Sequence, residues 1–444
     1  MAKTKTEYEC QSCGYKSPKW LGQCPVCGTW ESLLQTTVDG GKKRAQLEVK
    51  LVDYAGILPE QLKRFSSGFR ELDRVLGGGF VPGSLLLVGG DPGIGKSTLM
   101  LQVADKLQRQ GRSVLYVSGE ESHAQIKMRG ERLGIDGGGM KLMTETSYEA
   151  LDQTLMTHAF DVLFIDSIQT VYTPQILSAP GSLSQIREIT SKLLIHAKTR
   201  EITTVLIGHI TKDGHLAGPK SLEHMVDGVF YFEGDKYHRL RLLRSQKNRF
   251  GPAQELGIFQ MEATGLKEVG NPSRILLDQR PRDCAGSVVV PCIEGTRPLM
   301  VEVQVLLSTS TYAAPRRVTM GIDGGRLALI MAVLEKKAGL QLQGLDVFVN
   351  LVGGISIQEP AIDLGLALAI YSSFRNLALD PSFAVFGELG LAGEVRSVSQ
   401  ADMRLKECGN LGFDKVICPP TQGAWKGGRT FAVKTLAEAL ERAL

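Results

Sequence analysis

Apolar residues in this chain come in short unbroken blocks, separated by longer stretches in which they recur every third or fourth place. Leu85-Leu86-Leu87-Val88 is one block; Ser113–Ser118, Asp161–Asp166 and Thr203–Gly208 hold others, and each reads as a buried strand. Helical spacing runs from Leu99 to near Gly111, from Tyr148 to Ala159 and from Ile186 to Ala197. Apolar strands alternating with amphipathic helices predict a parallel sheet covered on both faces, whose ligands bind beyond the carboxyl ends of the strands. Val229–Phe232 and Arg239–Leu243 read as an antiparallel pair extending that sheet. After Asn271-Pro272-Ser273 a fresh pattern begins. Its strands are expected at Ser287–Cys292, Leu299–Leu306, Leu345–Leu351, Phe383–Phe386 and Lys415–Cys418, its helices at Arg326–Ala338, Ala361–Ser372, Gln400–Cys408 and Leu436–Leu444. This is an α+β region, distinct from the alternating one before it.

The first apolar block runs straight into Gly90-Asp91-Pro92-Gly93-Ile94-Gly95-Lys96-Ser97, with Thr98 beyond it, the G-x-x-x-x-G-K-S spacing of a phosphate loop. Glycines let backbone N–H groups converge on an anion, and the helix that follows adds its positive end. Lys96 is expected at the β- and γ-phosphates of ATP and Ser97 on Mg²⁺. Asp166 ends a strand, where a carboxylate either holds the water shell of Mg²⁺ opposite Ser97 or caps the next helix; beside a phosphate loop the metal role is favoured. Glu120 and Glu121 follow another strand end, and one of them would orient the attacking water. Sequence does not separate the two; Glu120 is chosen, against the alternative that both are solvated acids at a helix start. Every residue nominated here or below is expected beyond the strand carboxyl ends. Two glycine- and proline-rich segments, Thr173–Ser184 and Thr211–Glu223, read as mobile loops, the second lined by Lys212, His215 and Lys220 as candidate DNA contacts.

Composition adds limits. With 444 residues, two or three domains are expected; 43% hydrophobic and 22% charged residues suit a folded protein. The net charge of +4 permits nucleic-acid contact without arguing for it. No stretch approaches the ~18–20 uninterrupted apolar residues of a membrane span, and the opening residues carry no hydrophobic signal region, so a cytoplasmic location is the default. Of 8 cysteines, Cys10, Cys13, Cys24 and Cys27 form two C-x-x-C knuckles, each followed by glycine. That spacing predicts a structural Zn²⁺ in a Cys₄ site, against a disulfide framework or a redox pair. Cys284, Cys292, Cys408 and Cys418 read as small core residues. Trp20 and Trp30, with Lys16 and Lys19, either stack on bases or form the core of the zinc module.

The Cys₄ knuckles, the phosphate loop, Val117-Ser118-Gly119-Glu120-Glu121-Ser122, the strand ending at Asp166 and Lys247-Asn248-Arg249-Phe250-Gly251 together resemble the bacterial RadA (Sms) family of DNA repair proteins, over essentially the whole chain. On charge alone the last pentapeptide is a basic strand end; in that family it is the distinguishing motif. The resemblance implies a RecA-like P-loop ATPase core at 65–270, preceded by a Cys₄ zinc ribbon at 1–35 and a linker at 36–64. It implies a Lon-protease-like domain at 271–444. It further implies a homo-hexameric ring acting in recombination and branch migration on single-stranded DNA and branched intermediates, with RecA recombinase as a partner and ATP, Mg²⁺ and Zn²⁺ as cofactors. By the same analogy Lys247 and Arg249 reach a neighbouring subunit's nucleotide, and the two loops face a central channel. In the Lon-like region Ala361 falls where the nucleophilic serine should be and Asp402 where its lysine should be, so that domain is expected to be catalytically dead. Arg316, Arg317 and Arg326 there are either a DNA surface or ordinary surface charge. An ATP-dependent Lon-like protease and a nucleotide-switched assembly protein are the alternatives.

Overall fold

The computed structural model describes residues 5–38, 63–208, 222–234, 240–311, 314–421 and 425–443. Lys212, His215 and Lys220, and with them most of the second glycine-rich loop, lie outside the described residues. The chain divides into two compact units, residues 1–233, 243–253 and 261–266 in one, and 234–242, 254–260 and 267–444 in the other.

The first unit opens with a small sheet of β1 (Lys5–Cys10), β2 (Lys16–Ser17) and β3 (Leu33–Val38), in which β1 pairs antiparallel with both partners. So few residues are buried here, Cys10, Cys24 and Leu33 with Tyr8 and Tyr15 packed against them, that burial alone cannot hold the fold. Trp20 and Trp30 are not part of that core: they are 55% and 71% exposed.

From Arg64 onward the alternating pattern becomes α1 (Arg70–Leu76), β4 (Leu85–Gly90), α2 (Lys96–Arg109), β5 (Val114–Ser118), α3 (His123–Arg132), β6 (Lys141–Met143), α4 (Tyr148–Thr157), β7 (Val162–Asp166), α5 (Leu183–Arg200), β8 (Thr203–Ile207) and β9 (Gly228–Glu233). These strands lie in the order β9-β4-β8-β7-β5-β6, each paired parallel to its neighbour. Every residue of β4, β5, β7 and β8 is buried, which is why each is an unbroken apolar or small-residue run rather than an alternating one. The chain then passes through β10 (Leu240–Asn248), β11 (Leu256–Glu262) and β12 (Gly265–Glu268), whose residues are divided between the two units.

The segment at 173–182 is tied down by one side chain. Gln185 is 1% exposed; its amide nitrogen donates to the carbonyls of Thr173, Ile176 and Ser178, and its amide oxygen accepts from Thr173 N. Helix α5 starts at Leu183, earlier than the apolar spacing suggested, because Leu183 and Ser184 extend it outward from the buried face.

The second unit continues with α6 (Pro272–Leu277), β13 (Ser287–Glu294), β14 (Arg297–Thr309), β15 (Arg317–Met320), α7 (Gly324–Ala338), β16 (Leu345–Leu351), α8 (Asp363–Arg375), β17 (Phe383–Val385), the hairpin β18 (Glu388–Leu389) and β19 (Val395–Arg396), α9 (Ala401–Asn410), β20 (Lys415–Cys418), β21 (Arg429–Ala432) and α10 (Leu436–Ala443). Seven of its strands form a mixed sheet in the order β15-β16-β14-β13-β17-β20-β21. Cys292, Cys408 and Cys418 are buried in its core as expected, whereas Cys284 is exposed, since it sits in the turn before β13 rather than on a strand.

Candidate functional site

Strand β4 delivers the chain to Gly90, and α2 begins at Lys96, so Asp91 to Gly95 form a five-residue loop between a buried strand and a helix start. Asp91, Gly95, Ser97 and Thr98 are partly exposed, Pro92 and Gly93 fully so, and Ile94 is turned into the core. Lys96 is 3% exposed, and its ammonium donates to Gly90 O (2.7 Å) and Asp91 O (2.9 Å). Burial pulls the Lys96 ammonium below its usual value; the charges of Asp166, Glu120 and Asp91 oppose that pull. All three carboxylates therefore lie near enough for their charge to act on the loop lysine.

Asp166 closes β7 at 4% exposure, and the peptide joining it to Ser167 is cis. Its Oδ2 accepts from the Tyr116 hydroxyl at 2.7 Å, while Oδ1 is buried with no hydrogen-bond partner. A buried carboxylate oxygen without a donor is costly. A hard cation or its water shell is the kind of partner that would remove that cost, so the free oxygen of Asp166 suits Mg²⁺.

The two adjacent glutamates part company. Glu121 forms an ion pair with Arg129 of α3, 2.7 Å apart. Glu120 is exposed, and its Oε1 accepts from Ser167, the residue after Asp166, at 2.7 Å. Helix α3 begins only at His123, capped by Ser122 through a reciprocal bond with Gln125, so neither glutamate serves as the cap.

Lys247 and Arg249 do not sit with these groups. Arg249 N donates to Asp227 O, and the Arg249 guanidinium lies 3.3 Å from Asp227 Oδ1. Asp227, 2% exposed, also accepts from Leu85 N and from Lys198 Nζ. Lys247 donates to Glu223 O and Val226 O. Leu85 is the first residue of β4 and Gly90 the last, so five steps of about 3.3 Å put the pair roughly 17 Å from the phosphate loop along the strand. The expectation that every candidate lies beyond the strand carboxyl ends thus fails for Lys247 and Arg249. Its cause is strand direction: β10 turns back after β9 and ends where β9 began. Alternation along the strand sends Asn248 the other way, to Val75 O, and Phe250 O accepts from Arg64. Gly251 meets Gly77 so closely that a Cβ on either would come within 2.9 Å of the other's Cα.

The four ribbon cysteines converge. Cys10 and Cys27 sulfurs are 3.6 Å apart, Cys13 and Cys24 sulfurs 3.5 Å, and all four lie within 4.8 Å of one another. These separations are too long for a disulfide. They are close to the roughly 3.8 Å edge of a tetrahedron with Zn–S bonds of about 2.3 Å. Gly14 and Gly28 make the matching turns, with φ of 75° and 71°, each donating its N–H to the first cysteine of its knuckle. Among the described residues this is the cluster able to hold a metal through cysteine, histidine or carboxylate ligands.

In the second unit Ala361 is buried and its carbonyl accepts from Gly387 N, while Asp402 is exposed on α9. Two residues on from Asp402, Arg404 is 1% exposed and grips Glu359 through both oxygens at 2.9 and 2.6 Å, with Pro291 O as a further acceptor. Arg316 is paired with Asp346 and Arg326 with Asp363.

A phosphate loop on a buried parallel sheet, with a strand-end aspartate and a nearby glutamate, defines the class as a RecA-like P-loop ATPase, here preceded in sequence by a Cys₄ zinc ribbon and followed by a Lon-like region. Family models agree region by region: "Rubredoxin metal binding domain" at 8–35, "KaiC" ATPase at 65–143 and "Subunit ChlI of Mg-chelatase" at 328–422. DNA repair protein RadA of Halalkalibacterium halodurans is 48% identical, over 99% of this chain and 99% of its own. The RadA protein of Bacillus subtilis is 46% identical over 100% of both. The chain belongs to the RadA family of DNA repair proteins. Among solved structures, a KaiC-like protein from Pyrococcus horikoshii covers 47% of the chain at 21% identity with a TM-score of 0.40, and the RadB recombinase 46% at 24% with 0.37. No helix among the described residues is long and apolar enough to cross a membrane.

Proposed function

We propose that this chain is a cytoplasmic, DNA-stimulated ATPase that works as a ring, a homo-hexamer, moving single-stranded DNA and driving branch migration during recombinational repair. The observation that carries the reading is the gathering of Lys96, Asp166 and Glu120 around one phosphate loop. The loop from Gly90 to Thr98 would cradle the triphosphate; Lys96, released from Gly90 O and Asp91 O, would take the β- and γ-phosphates instead. Bound Mg²⁺ would neutralise phosphate charge as the bond to the leaving group breaks. Ser97 and Asp166 would hold it. Glu120, steadied by Ser167, would orient the water, and Glu121 would not, because Arg129 occupies it. Lys247 and Arg249 lie at the opposite end of β4 from their own phosphate loop, which supports their acting on a neighbour's nucleotide.

The domain division, ribbon to residue 35, linker 36–64, ATPase 65–270 and Lon-like domain 271–444, remains part of this proposal, as does RecA recombinase as a partner. A protease reading has little support: Ala361 offers no nucleophile, and Asp402 faces solvent with the wrong charge. ATP turnover with and without single-stranded DNA tests the main reading. Wild-type hydrolysis should rise with DNA at low salt and lose that rise as salt increases, and Lys96→Ala should abolish turnover under all conditions. Turnover indifferent to DNA at low salt would set the motor reading aside.

A further inference from the structure

We infer that Tyr116 is a positioning residue for the metal site: its hydroxyl occupies one oxygen of Asp166 and so fixes the carboxylate with the other oxygen turned toward the cation. This rests on the reading of Asp166 as the carboxylate that faces Mg²⁺, and it assigns a role to a residue that touches neither nucleotide nor metal.

The placement follows from strand register. β5 and β7 run parallel, with Tyr116 opposite Phe164 and Ser118 opposite Asp166. Side chains two positions apart on a strand share a face, so Tyr116 stands one pair below Asp166 on the same face, a gap that a phenol spans and a shorter side chain does not. The ring is held in place by Phe164, their centroids 6.0 Å apart in a stacked arrangement. From there the hydroxyl reaches Asp166 Oδ2 at 2.7 Å, the length of a charge-assisted O–H···O⁻ bond.

Two features make this more than a satisfied core tyrosine. The bond is to one carboxylate oxygen only, and the other is buried and without a hydrogen-bond donor. Lys96, whose ammonium feels the Asp166 charge, already has two backbone acceptors. A carboxylate anchored at one oxygen cannot rotate freely, and a metal ligand, or a group holding a metal's water, loses affinity when such an outer partner is removed.

Tyr116→Phe removes one oxygen and keeps the stacked ring. Mn²⁺ serves as the probe ion, followed by its electron paramagnetic resonance signal on the full-length protein with a non-hydrolysable ATP analogue. The variant should bind Mn²⁺ about tenfold more weakly, while its affinity for the analogue in the presence of EDTA matches wild type. Asp166→Asn should lose the bound-Mn²⁺ signal, and adding Tyr116→Phe to it should change nothing further. Equal Mn²⁺ affinity in Tyr116→Phe and wild type overturns the inference, and a lowered thermal midpoint alongside it makes the hydroxyl purely structural. If wild type itself binds no Mn²⁺ with the analogue, the metal reading of Asp166 fails and carries the inference with it, an outcome distinct from the first.

Discussion

Two adjacent glutamates illustrate what a single residue's neighbours decide. Glu120 and Glu121 are chemically identical in the sequence, and only the fold places Arg129 against one and Ser167 against the other. Arg129 is on α3, eight positions after Glu121, and nothing in the residue order says that α3 folds back onto it. Glu120→Gln should therefore lower the ATP turnover number by about 100-fold or more with little change in ATP binding, the size expected for losing a group that orients or deprotonates water. Glu121→Gln should leave turnover within a few-fold and act mainly on stability, since its partner is an arginine and not the substrate. Steady-state kinetics on the two variants checks this, and a larger turnover loss in Glu121→Gln would reverse the assignment. Tyr116 is silent in the sequence for a similar reason: a tyrosine inside an apolar strand reads as core, and its polar end matters only because β7 lies beside β5. The tryptophans go the other way. A module this small was expected either to bury them or to present them, and their exposure shows that the ribbon builds its interior from cysteines, Leu33 and two tyrosines instead.

At the scale of elements, legibility tracked burial. Strands buried on both faces are legible to within a residue: the runs Ser113–Ser118, Asp161–Asp166 and Thr203–Gly208 stand as β5, β7 and β8. Elements with little to bury left no such mark. Helix α3 buries only Ile126 and Gly130, β6 has no buried residue, and β15 is an edge strand whose residues are all at least partly exposed. The sense of a strand is equally silent in composition, which is why Lys247 and Arg249 are expected at the wrong end of the sheet's strands. The Lon-like resemblance singles out Ala361 and Asp402, but the buried polar group beside Asp402 in sequence is Arg404, on α9 and bonded to Glu359, itself close to Ala361 in sequence. It ties α9 to Glu359 and to the backbone of β13. Arg404→Ala would take the cation from Glu359, which keeps the Ile293 N–H, and remove a donor from the Pro291 carbonyl; breaking a buried pair from one side costs about 3–5 kcal/mol, an upper bound here because Glu359 is partly exposed. Urea denaturation should show a loss of that order; a loss below about 1 kcal/mol would mean that the pair adds little to this unit.

For the molecule as a whole, the decisive question is whether one chain contains a complete ATPase site. Its sheet carries candidate groups at both ends of its strands. Gly90, Lys96 and Asp166 mark one; Asp227, holding Arg249 beside the start of β4, marks the other, roughly 17 Å away along the strand. No rotamer of an arginine bridges that distance, so a role for Arg249 in hydrolysis requires a second subunit to bring the far edge of its sheet against the first subunit's phosphate loop. That geometry makes a sharp prediction for mixtures. Lys96→Ala protein should be inactive because its loop cannot hold the triphosphate, and Arg249→Ala protein should bind ATP normally yet turn it over slowly, since an arginine supplied in trans contributes on the order of 10³-fold or more. In an assembly of the two, a loop from the Arg249→Ala chain facing the intact edge of the Lys96→Ala chain has every group required. Mixing two nearly inactive proteins under assembly conditions should thus recover a measurable fraction of wild-type turnover, rising to a maximum near equal proportions. If both groups instead served the same chain's nucleotide, no mixture could contain a complete site, and turnover would stay at the weighted mean of the two variants at every ratio.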